Sequence, residues 1–308
     1  MRIGLDVGGT KTDAVAVDAA GDVIARVRRS TGWGADAVVQ TVVDAVDAVR
    51  GEAGIAQEDV ASVGIGIPGQ VDATGRVVHA VNLGVDEVDL AAAVTPLLGV
   101  PVRVENDVKA AALGAYALHA AATGSMAYLN LGTGIAAGIV VAGAVWRGDR
   151  GTAGEIGHLG VDPAGPLCRC GQHGCIEAFA GGGAVAQRWG RPGLHPVADV
   201  YDAADIGDPL AMELRAGVAH GVAAAVRVLV LTADVDRVVL GGGLTNLGDR
   251  LTGDVAAELA ASAEASAFMR SLRLDERVQL LPAGSPAAAV GAALVGVARD
   301  PQEVLARG

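Results

Sequence analysis

Residues 2–27, RIGLDVGGTKTDAVAVDAAGDVIARV, contain the pattern that decides the predicted fold. Apolar residues alternate over 2–7, as they do in a half-buried strand, and Gly8-Gly9 follows as a hairpin-turn signal. Residues 12–17 and 23–27 are again strand-like and are separated by turn-forming residues. The stretch therefore predicts an antiparallel meander of three strands whose first turn is rich in glycine and follows an acidic residue.

The same layout recurs in residues 127–146, AYLNLGTGIAAGIVVAGAVW. A strand is predicted over 127–131, a turn at Gly132-Thr133-Gly134, a strand over 135–141 and a third over 144–146. Identity between the two stretches is low, so we interpret the repeat as one of architecture rather than of sequence. The chain is thus predicted to contain two related halves.

Helices and buried strands alternate through the remaining sequence, which is typical of an α/β fold. Helical spacing of apolar residues and capping signals predict helices, and short apolar runs bounded by turn residues predict strands. We expect helices over 35–50, 90–98, 108–118, 209–231 and 286–298, and strands over 63–67, 100–104, 237–240 and 278–281. No low-complexity linker divides the chain, so the two halves are expected to meet near residue 108.

Composition excludes several classes of protein. The chain has 308 residues, 51% of them hydrophobic, and a net charge of -12, which argues against nucleic acid or an anionic membrane as partners. The first ten residues lack the apolar core of a signal peptide, and the longest apolar run, 135–146, is too short to span a membrane. The three cysteines leave one unpaired in any disulfide scheme. We expect a soluble, cytoplasmic protein.

All three cysteines lie in residues 155–177, EIGHLGVDPAGPLCRCGQHGCIE. Three thiols and one imidazole can supply the four ligands of a tetrahedral zinc site, and the turn-forming interior of the stretch lets the chain fold back on itself. The alternative is three cysteines packed as small hydrophobic residues, but their confinement to eight positions favours zinc. The predicted ligands are His158, Cys168, Cys170 and Cys175.

Two glycine-rich turns are candidate phosphate-binding loops. The first is Asp6-x-Gly8-Gly9-Thr10-Lys11-Thr12, where exposed backbone N–H groups can hold phosphate oxygens and Asp6 can hold a hydrated Mg²⁺. An ordinary hairpin is the alternative, because Gly-Gly turns are frequent. The second loop, Gly132-Thr133-Gly134, occupies the same place in the repeat and favours phosphate binding by both.

Asn106-Asp107 follows a predicted strand at its carboxyl end, where α/β sheets place their ligands. Asp107 can accept a hydroxyl proton as a general base, but either residue can equally cap the following helix, and the sequence leaves both open. Glu155 and Glu177 flank the proposed zinc loop and can bind vicinal hydroxyls, although most glutamates are solvated surface residues. His158 can offer its second ring nitrogen to a ligand.

Taken together, these motifs resemble the ROK family of bacterial sugar kinases, within the actin-like ATPase superfamily. The similarity is carried by E-x-G-H at 155–158 and C-x-C-G-x-x-G-C-x-E at 168–177, and by LDVGGTKT, GIGIPG, VENDVKAAALGAY, LGTGI and VVLGGGL. It implies two ribonuclease-H-like lobes with ATP and sugar in the cleft between them, and a zinc-braced loop. The N-terminal lobe is predicted over 1–108, completed by a helix over 286–308, and the C-terminal lobe over 109–285.

The resemblance also implies an activity, the ATP-dependent phosphorylation of a hexose at its 6-hydroxyl. Glucose is the first choice, and N-acetylglucosamine or N-acetylmannosamine is the alternative because the cysteine motif also resembles that of amino-sugar kinases. ATP, Mg²⁺ and structural Zn²⁺ are the implied cofactors, and a homodimer is the implied assembly. The implied roles are phosphate contacts for Asp6, Gly8, Gly9, Thr10, Lys11, Thr12, Gly132, Thr133 and Gly134; adenosine contacts for Gly241, Gly242 and Gly243; sugar contacts for Gly69, Asn106, Glu155, His158 and Glu177; and the catalytic base for Asp107.

Three positions depart from the family pattern. Lys109 replaces the Asn of N-D-x-N; we expect it to be a solvated helix residue, and the sharper hypothesis is that it pairs with Asp107 and lowers the pKa of that carboxyl. Val85 stands where many members have Trp, so this part of the sugar pocket is expected to differ. Ala136-Ala137 replaces a glycine-rich continuation of the second loop, which is expected to stiffen the strand.

Two rival functions follow from the same resemblance. The family includes transcriptional repressors, which carry a DNA-binding domain ahead of the first strand; here that strand begins near residue 3, so we do not expect one. A non-catalytic sugar sensor would lack the base, but Asp107 is present.

Overall fold

The computed structural model describes residues 1–118, 124–264 and 266–296. These residues divide into two compact units. Unit 1 contains residues 1–118, 143–152 and 286–296, and unit 2 contains the described residues of 124–142 and 153–285. Helix 107–118 and segment 143–152 thus group with unit 1, beyond the boundary predicted at residue 108. Residues 297–308 of the predicted C-terminal helix lie outside the described part.

The strands and helices alternate along the chain. The strands are β1 (Arg2–Val7), β2 (Lys11–Val17), β3 (Val23–Ser30), β4 (Ser62–Ile67), β5 (Gln70–Val71), β6 (Arg76–Ala80), β7 (Val85–Asp89), β8 (Val102–Asn106), β9 (Ser125–Leu131), β10 (Ile135–Val141), β11 (Ala144–Val145), β12 (Arg237–Gly241) and β13 (Val278–Leu280). The helices are α1 (Ala35–Ala53), α2 (Leu90–Leu98), α3 (Asp107–Leu118), α4 (Ile176–Ala180), α5 (Gly182–Trp189), α6 (Pro196–Asp205), α7 (Pro209–Ala233), α8 (Asp249–Ala263), α9 (Ala267–Ser271) and α10 (Ala287–Val295).

Unit 1 is built on a mixed sheet in the order β3-β2-β1-β4-β8. Strands β1, β2 and β3 pair antiparallel, which confirms the predicted meander, and β4 and β8 continue the sheet in parallel with β1. A second antiparallel sheet, β5-β6-β7, was missed in the sequence because its strands are short and because β6 and β7 carry charged residues. The parallel strands β4 and β8 end at Ile67 and Asn106, which pair with each other, so the segments that follow begin at the same edge of the sheet.

Helix α10 covers this sheet at very short range. Gly4 of β1 and Gly64 of β4 are paired neighbours, and a Cβ on them would lie 2.0 Å and 1.8 Å from the carbonyl oxygens of Ala289 and Ala292. Only glycine fits at these two positions, because any side chain would clash with the backbone of the helix. The glycine- and alanine-rich composition is therefore used to bring a helix into contact with the strand backbones. The helix begins at Ala287 with Pro286 at its cap, whereas the sequence suggested Ser285.

Unit 2 repeats the arrangement. Its strands run in the order β10-β9-β12-β13, with β9 and β10 antiparallel and β12 and β13 in parallel with β9, as β2-β1-β4-β8 do in unit 1. Helix α7 crosses its core and is capped by Asp208, whose carboxylate accepts from the backbone N–H of Ala211, as predicted. Among the described residues, α7 is also the one helix long and apolar enough to cross a membrane, but more than half of its most apolar window is buried inside the protein, as in a core helix.

Candidate active site

The first glycine loop of unit 1 is a tight turn at the end of β1. The N–H of Gly8 donates to the carbonyl of Lys11 at 2.9 Å, which closes the turn. Gly9 packs against another segment, because a Cβ on it would lie 2.8 Å from the carbonyl oxygen of Asn82. Thr12 is buried and its hydroxyl pairs with that of Thr31 at 2.9 Å, so the exposed donors of this loop are on Thr10 and Lys11.

Asp6 and Asp107 come together at the carboxyl ends of β1 and β8. Gly66 of β4 is paired with Asp6, and a Cβ on Gly66 would lie 3.5 Å from the Cα of Asp107, so the missing side chain leaves room between them. Burial, followed by the negative charges of Asp107 and Asp13, raises the pKa of Asp6 to about 7, against the opposing charges of two arginines. A divalent cation would offset this accumulated negative charge.

Asn106 orients the neighbouring carboxylate and caps the helix at once. Its amide donates to the carbonyl of Gly69 at 3.1 Å and to Oδ1 of Asp107 at 3.0 Å. Its own Oδ1 accepts from the backbone N–H groups of Val108 and Lys109, as a helix cap does. Asn106 thus supplies the cap of the helix, and Oδ1 of Asp107 also accepts from the N–H of Val108 at 2.9 Å.

Lys109 is not the solvated residue that the sequence suggested. It is only 4% exposed, and its Nζ donates to the carbonyl of Gly151 at 2.8 Å. The prediction is wrong because α3 packs under segment 143–152, which the sequence pattern does not reveal. A second contact fixes the same segment, since Arg147 pairs with the buried Glu105 at 2.6 Å. The N–H of Asn106 also donates to Glu105, so this network reaches the residue before Asp107.

The second glycine loop, in unit 2, is held from outside by the start of α5 and by Glu177. Backbone N–H groups of Gly182 and Gly183 each donate at 2.9 Å, to the carbonyls of Gly132 and Thr133 respectively. Glu177 accepts the N–H of Ile135 on Oε2, also at 2.9 Å, immediately after the loop. The three bonds leave the loop little freedom to move.

The other predicted residues of unit 2 gather around the same loop. The turn at Ile156–His158 lies on β10, because a Cβ on Gly157 would be 2.1 Å from the carbonyl oxygen of Ile135. Gly242 lies against the end of β9, where a Cβ would be 2.6 Å from the carbonyl of Leu131. The side chains of Glu155 and His158 are exposed, and so can reach a ligand.

The predicted metal ligands are brought together in unit 2. One ligand atom from each of His158, Cys168, Cys170 and Cys175 lies within 4.8 Å of every other. The Sγ atoms of Cys170 and Cys175 are 3.6 Å apart, and Cys168 Sγ is 3.9 Å from Nδ1 of His158. Ligands on bonds of about 2.3 Å around a tetrahedral zinc are roughly 3.8 Å apart, so the donor set fits.

Electrostatics favour a cation at this cluster. Burial, followed by the neighbouring thiols of Cys170 and Cys168, raises the pKa of the Cys175 thiol to about 12. Zinc binds thiolates, and its charge would supply the compensation that the surrounding chain does not.

Within each unit the structure thus brings the predicted residues together. Unit 1 groups Asp6, Gly8–Thr12, Gly69, Asn106 and Asp107, and unit 2 groups Gly132–Gly134, Glu155, His158, Glu177, Gly241–Gly243 and the metal cluster. Four contributors were missed: Asn82, Glu105 with Arg147, and the glycine run 181–183. That glycine run was a visible signal, since three consecutive glycines at a helix start permit close backbone approach.

Comparison with known proteins gives the class that this fold and site define. The family model described as "ROK family" matches residues 2–297, so the chain belongs to the ROK family. A glucokinase of Halalkalibacterium halodurans is 30% identical over 270 residues, covering 81% of this chain and 82% of that protein. An N-acetylmannosamine kinase of Shigella boydii is 32% identical over 246 residues, covering 79% and 82%.

A solved structure shares the fold over almost the full length. It is a ROK family glucokinase from Streptomyces griseus in complex with glucose and AMPPNP, 29% identical, with a TM-score of 0.77, covering 96% of this chain and 99% of that one.

Proposed function

We propose that the chain is an ATP-dependent hexose kinase that phosphorylates the 6-hydroxyl, with glucose as its preferred sugar. The observation that carries this proposal is the arrangement at the end of β8, where Asn106 holds both Gly69 and the carboxylate of Asp107 beside Asp6. A fixed carboxylate next to a glycine loop and a second acidic residue is what phosphoryl transfer to an alcohol requires. The similarity to a glucokinase that binds glucose and AMPPNP supports the same substrates.

In this proposal Asp107 removes the proton of the sugar hydroxyl while the oxygen of that hydroxyl attacks the γ-phosphorus. One P–O bond forms to the sugar and the bond to the β-phosphate oxygen breaks, which releases ADP. Mg²⁺, when bound with ATP, would offset the negative charge that develops on the transferred phosphoryl group. Asp6 is the residue that would hold this ion. Asn106 keeps the base oriented throughout, because its amide donates to Oδ1 of Asp107.

Unit 2 is proposed to hold the phosphates through Gly132–Gly134, the adenosine through Gly241–Gly243 and the sugar through Glu155, His158 and Glu177. Zinc on His158, Cys168, Cys170 and Cys175 would fix the loop that carries these side chains. Coordination through Nδ1 of His158 leaves its Nε2 for a sugar hydroxyl.

At the level of the whole chain, we propose that the two units are the ribonuclease-H-like lobes of the family. Residues 1–108 with 286–308 and residues 109–285 remain the proposed lobes, with α3 and segment 143–152 grouping with the first in the structure. We further propose a cytoplasmic homodimer that binds neither nucleic acid nor a membrane, in keeping with the net charge of -12.

N-acetylmannosamine or N-acetylglucosamine is the second candidate substrate. The N-acetylmannosamine kinase relative, at 32% identity over 79% of the chain, favours it specifically. A single substituent at C2 separates these sugars from glucose or mannose, and such a difference is decided by the shape of the pocket wall.

A panel of hexoses and N-acetylhexosamines with MgATP, read as ADP release and ranked by kcat/KM, tests the proposal. Glucose is expected to give the highest value. Asp107→Asn is expected to lower kcat by about 10²- to 10⁴-fold, the usual contribution of a general base, while sugar binding measured by calorimetry persists. Near-normal kcat in Asp107→Asn refutes the assigned base, and a wild-type chain that phosphorylates no hexose refutes the function.

A further inference from the structure

We propose that Trp33 forms an aromatic wall of the hexose site in unit 1 and helps to determine which sugar binds. The inference deepens the proposed function and rests on it. Trp33 lies in the loop between β3 and α1, outside every motif that the sequence comparison singled out.

The indole of Trp33 packs against Gly84. A Cβ on Gly84 would be 2.4 Å from Cε2, 2.5 Å from Nε1 and 2.8 Å from Cζ2, so three ring atoms cover the position where a side chain would be. Gly84 has φ of 65°, a conformation that favours glycine in any case. The contact is strengthened by the backbone, since the N–H of Gly34 donates to the carbonyl of Leu83 at 2.8 Å.

The segment under the indole connects directly to the candidate site. Two residues before Gly84, the carbonyl of Asn82 packs on Gly9 of the phosphate loop. Further back, Ala80 packs on Gly69, which in turn accepts from the amide of Asn106. Residues 80–84 therefore run from the partner of the base to the phosphate loop, and Trp33 covers the far end of that run.

The exposure of this indole is the observation that points to a ligand. Trp33 is 71% exposed in a chain with only 3% aromatic residues, although one part of it already touches Gly84. Ligand pockets are lined predominantly by apolar and aromatic side chains with a few polar groups, and an exposed indole beside this run would provide such a lining. Val81, within residues 80–84, is also 75% exposed, so the run carries a second exposed apolar side chain.

A pyranose is the ligand that this surface fits. Its axial C–H groups form a flat apolar face, while its hydroxyls point outward to polar residues such as Asn106. An indole offers the matching flat apolar surface. Val85, the next residue after Gly84, is only 2% exposed and cannot provide that surface, so the exposed apolar ring beside this run is that of Trp33.

The test compares three variants, Trp33→Ala, Trp33→Phe and Trp33→Leu, with the matched control Phe268→Ala, an exposed aromatic residue of α9 in unit 2. We expect Trp33→Ala to raise the hexose KM by about 5- to 10-fold, the range of one aromatic contact, with kcat and the KM for ATP within about twofold. Trp33→Phe should recover most of the affinity and Trp33→Leu less. Thermal midpoints of all variants show whether each is folded.

Sugar binding is measured independently by tryptophan fluorescence without ATP. Glucose should change the emission of the wild type and of Trp146→Phe, and this change should be lost in Trp33→Phe. An unchanged hexose KM in Trp33→Ala overturns the inference, as does a rise in the KM for ATP alone, which would place the indole against the nucleotide. If the wild type phosphorylates no hexose, the proposed function fails, and the fluorescence titration alone then decides whether Trp33 contacts sugar.

Discussion

The two glycine loops occupy equivalent places in equivalent sheets but are supported differently. In unit 1 the loop after β1 is closed by the backbone bond from Gly8 to Lys11, accepts the N–H of Thr31 on the carbonyl of Thr10 at 3.1 Å, and packs on Asn82. In unit 2 the loop after β9 is fastened by bonds from Gly182 and Gly183 and by the neighbouring bond from Ile135 to Glu177. The first loop lies beside two carboxylates, and the second lies beside the Cys3His cluster.

The two units therefore differ in what they contribute, although their sheets repeat the same arrangement. Unit 1 concentrates negative charge at Asp6 and Asp107, which suits metal binding and proton removal. Unit 2 concentrates restraint, because Glu177 follows Cys175 by two residues and reaches the loop directly. The Cys3His cluster is thus placed to stabilise the second glycine loop as well as the side chains proposed to bind the sugar, and the sequence alone did not indicate the link to the loop.

Among the substitutions that test the difference between the two loops, Asp6→Asn in unit 1 has the largest expected effect. Loss of the carboxylate that would hold Mg²⁺ is expected to lower kcat/KM by about 100-fold and to raise the Mg²⁺ concentration needed for half-maximal rate. In the wild type, protons compete with Mg²⁺ below pH 7, because the pKa of Asp6 is raised to about 7. Initial rates against Mg²⁺ between pH 6 and 8 measure this competition, which the variant should lack.

The same substitution has an opposite effect on stability. The unfolded chain ionises Asp6 near its ordinary pKa of 3.8, whereas the folded chain holds the proton up to about 7, so stability is lost as the pH rises through this window. Asp6→Asn removes that loss and should raise the thermal midpoint at pH 8 but not at pH 4. Asp44→Asn, an exposed carboxylate of α1, is the control. If the thermal midpoints of Asp6→Asn and the wild type depend on pH in the same way, burial of Asp6 does not destabilise its ionised form.

Cys175→Ser is expected to have the next largest effect, confined to unit 2. It removes a ligand that is fully buried, so zinc should be lost and the free energy of unfolding should fall by about 3 kcal/mol. The KM values for ATP and hexose should both rise. The fall in rate below pH 7, which we attribute to protonation of Asp6, should stay at the same pH. Elemental analysis, thermal unfolding and a pH–rate profile measure the three outcomes.

The control for this variant is His173→Ala, in the same loop but outside the cluster, which bonds only a backbone carbonyl. It should keep its zinc and its midpoint. A wild-type protein without zinc, or a Cys175→Ser variant with unchanged midpoint and KM values, would show that the second loop needs no metal support.

Much of this arrangement was predictable from local sequence. The strands β1, β9 and β10 and the cap at Asp208 follow from side-chain period and capping chemistry, which act within a few residues. The grouping of His158, Cys168, Cys170 and Cys175 was predictable because these residues are close in sequence. Other contacts join residues about 40 or more positions apart. They are the bond that buries Lys109 against Gly151, the bond from Ile135 to Glu177 and the contact of Trp33 with Gly84. Such contacts depend on how elements pack, which no local pattern encodes.

The smallest expected effect is from Glu177→Gln, which tests the bond between the metal loop and the second glycine loop. The amide keeps an oxygen that can accept from Ile135 but loses the charge, and a charge-assisted bond is stronger than a neutral one by about 1 kcal/mol. Because one carboxylate both fixes the loop and is proposed to bind the sugar, the KM values for ATP and hexose should rise together, each by about fivefold. Glu155→Gln is the matched contrast: its side chain is exposed, so it should raise the hexose KM alone. If Glu177→Gln also raises only the hexose KM, the bond to Ile135 does not hold the phosphate loop, and the two loops are less different in their support than their contacts indicate.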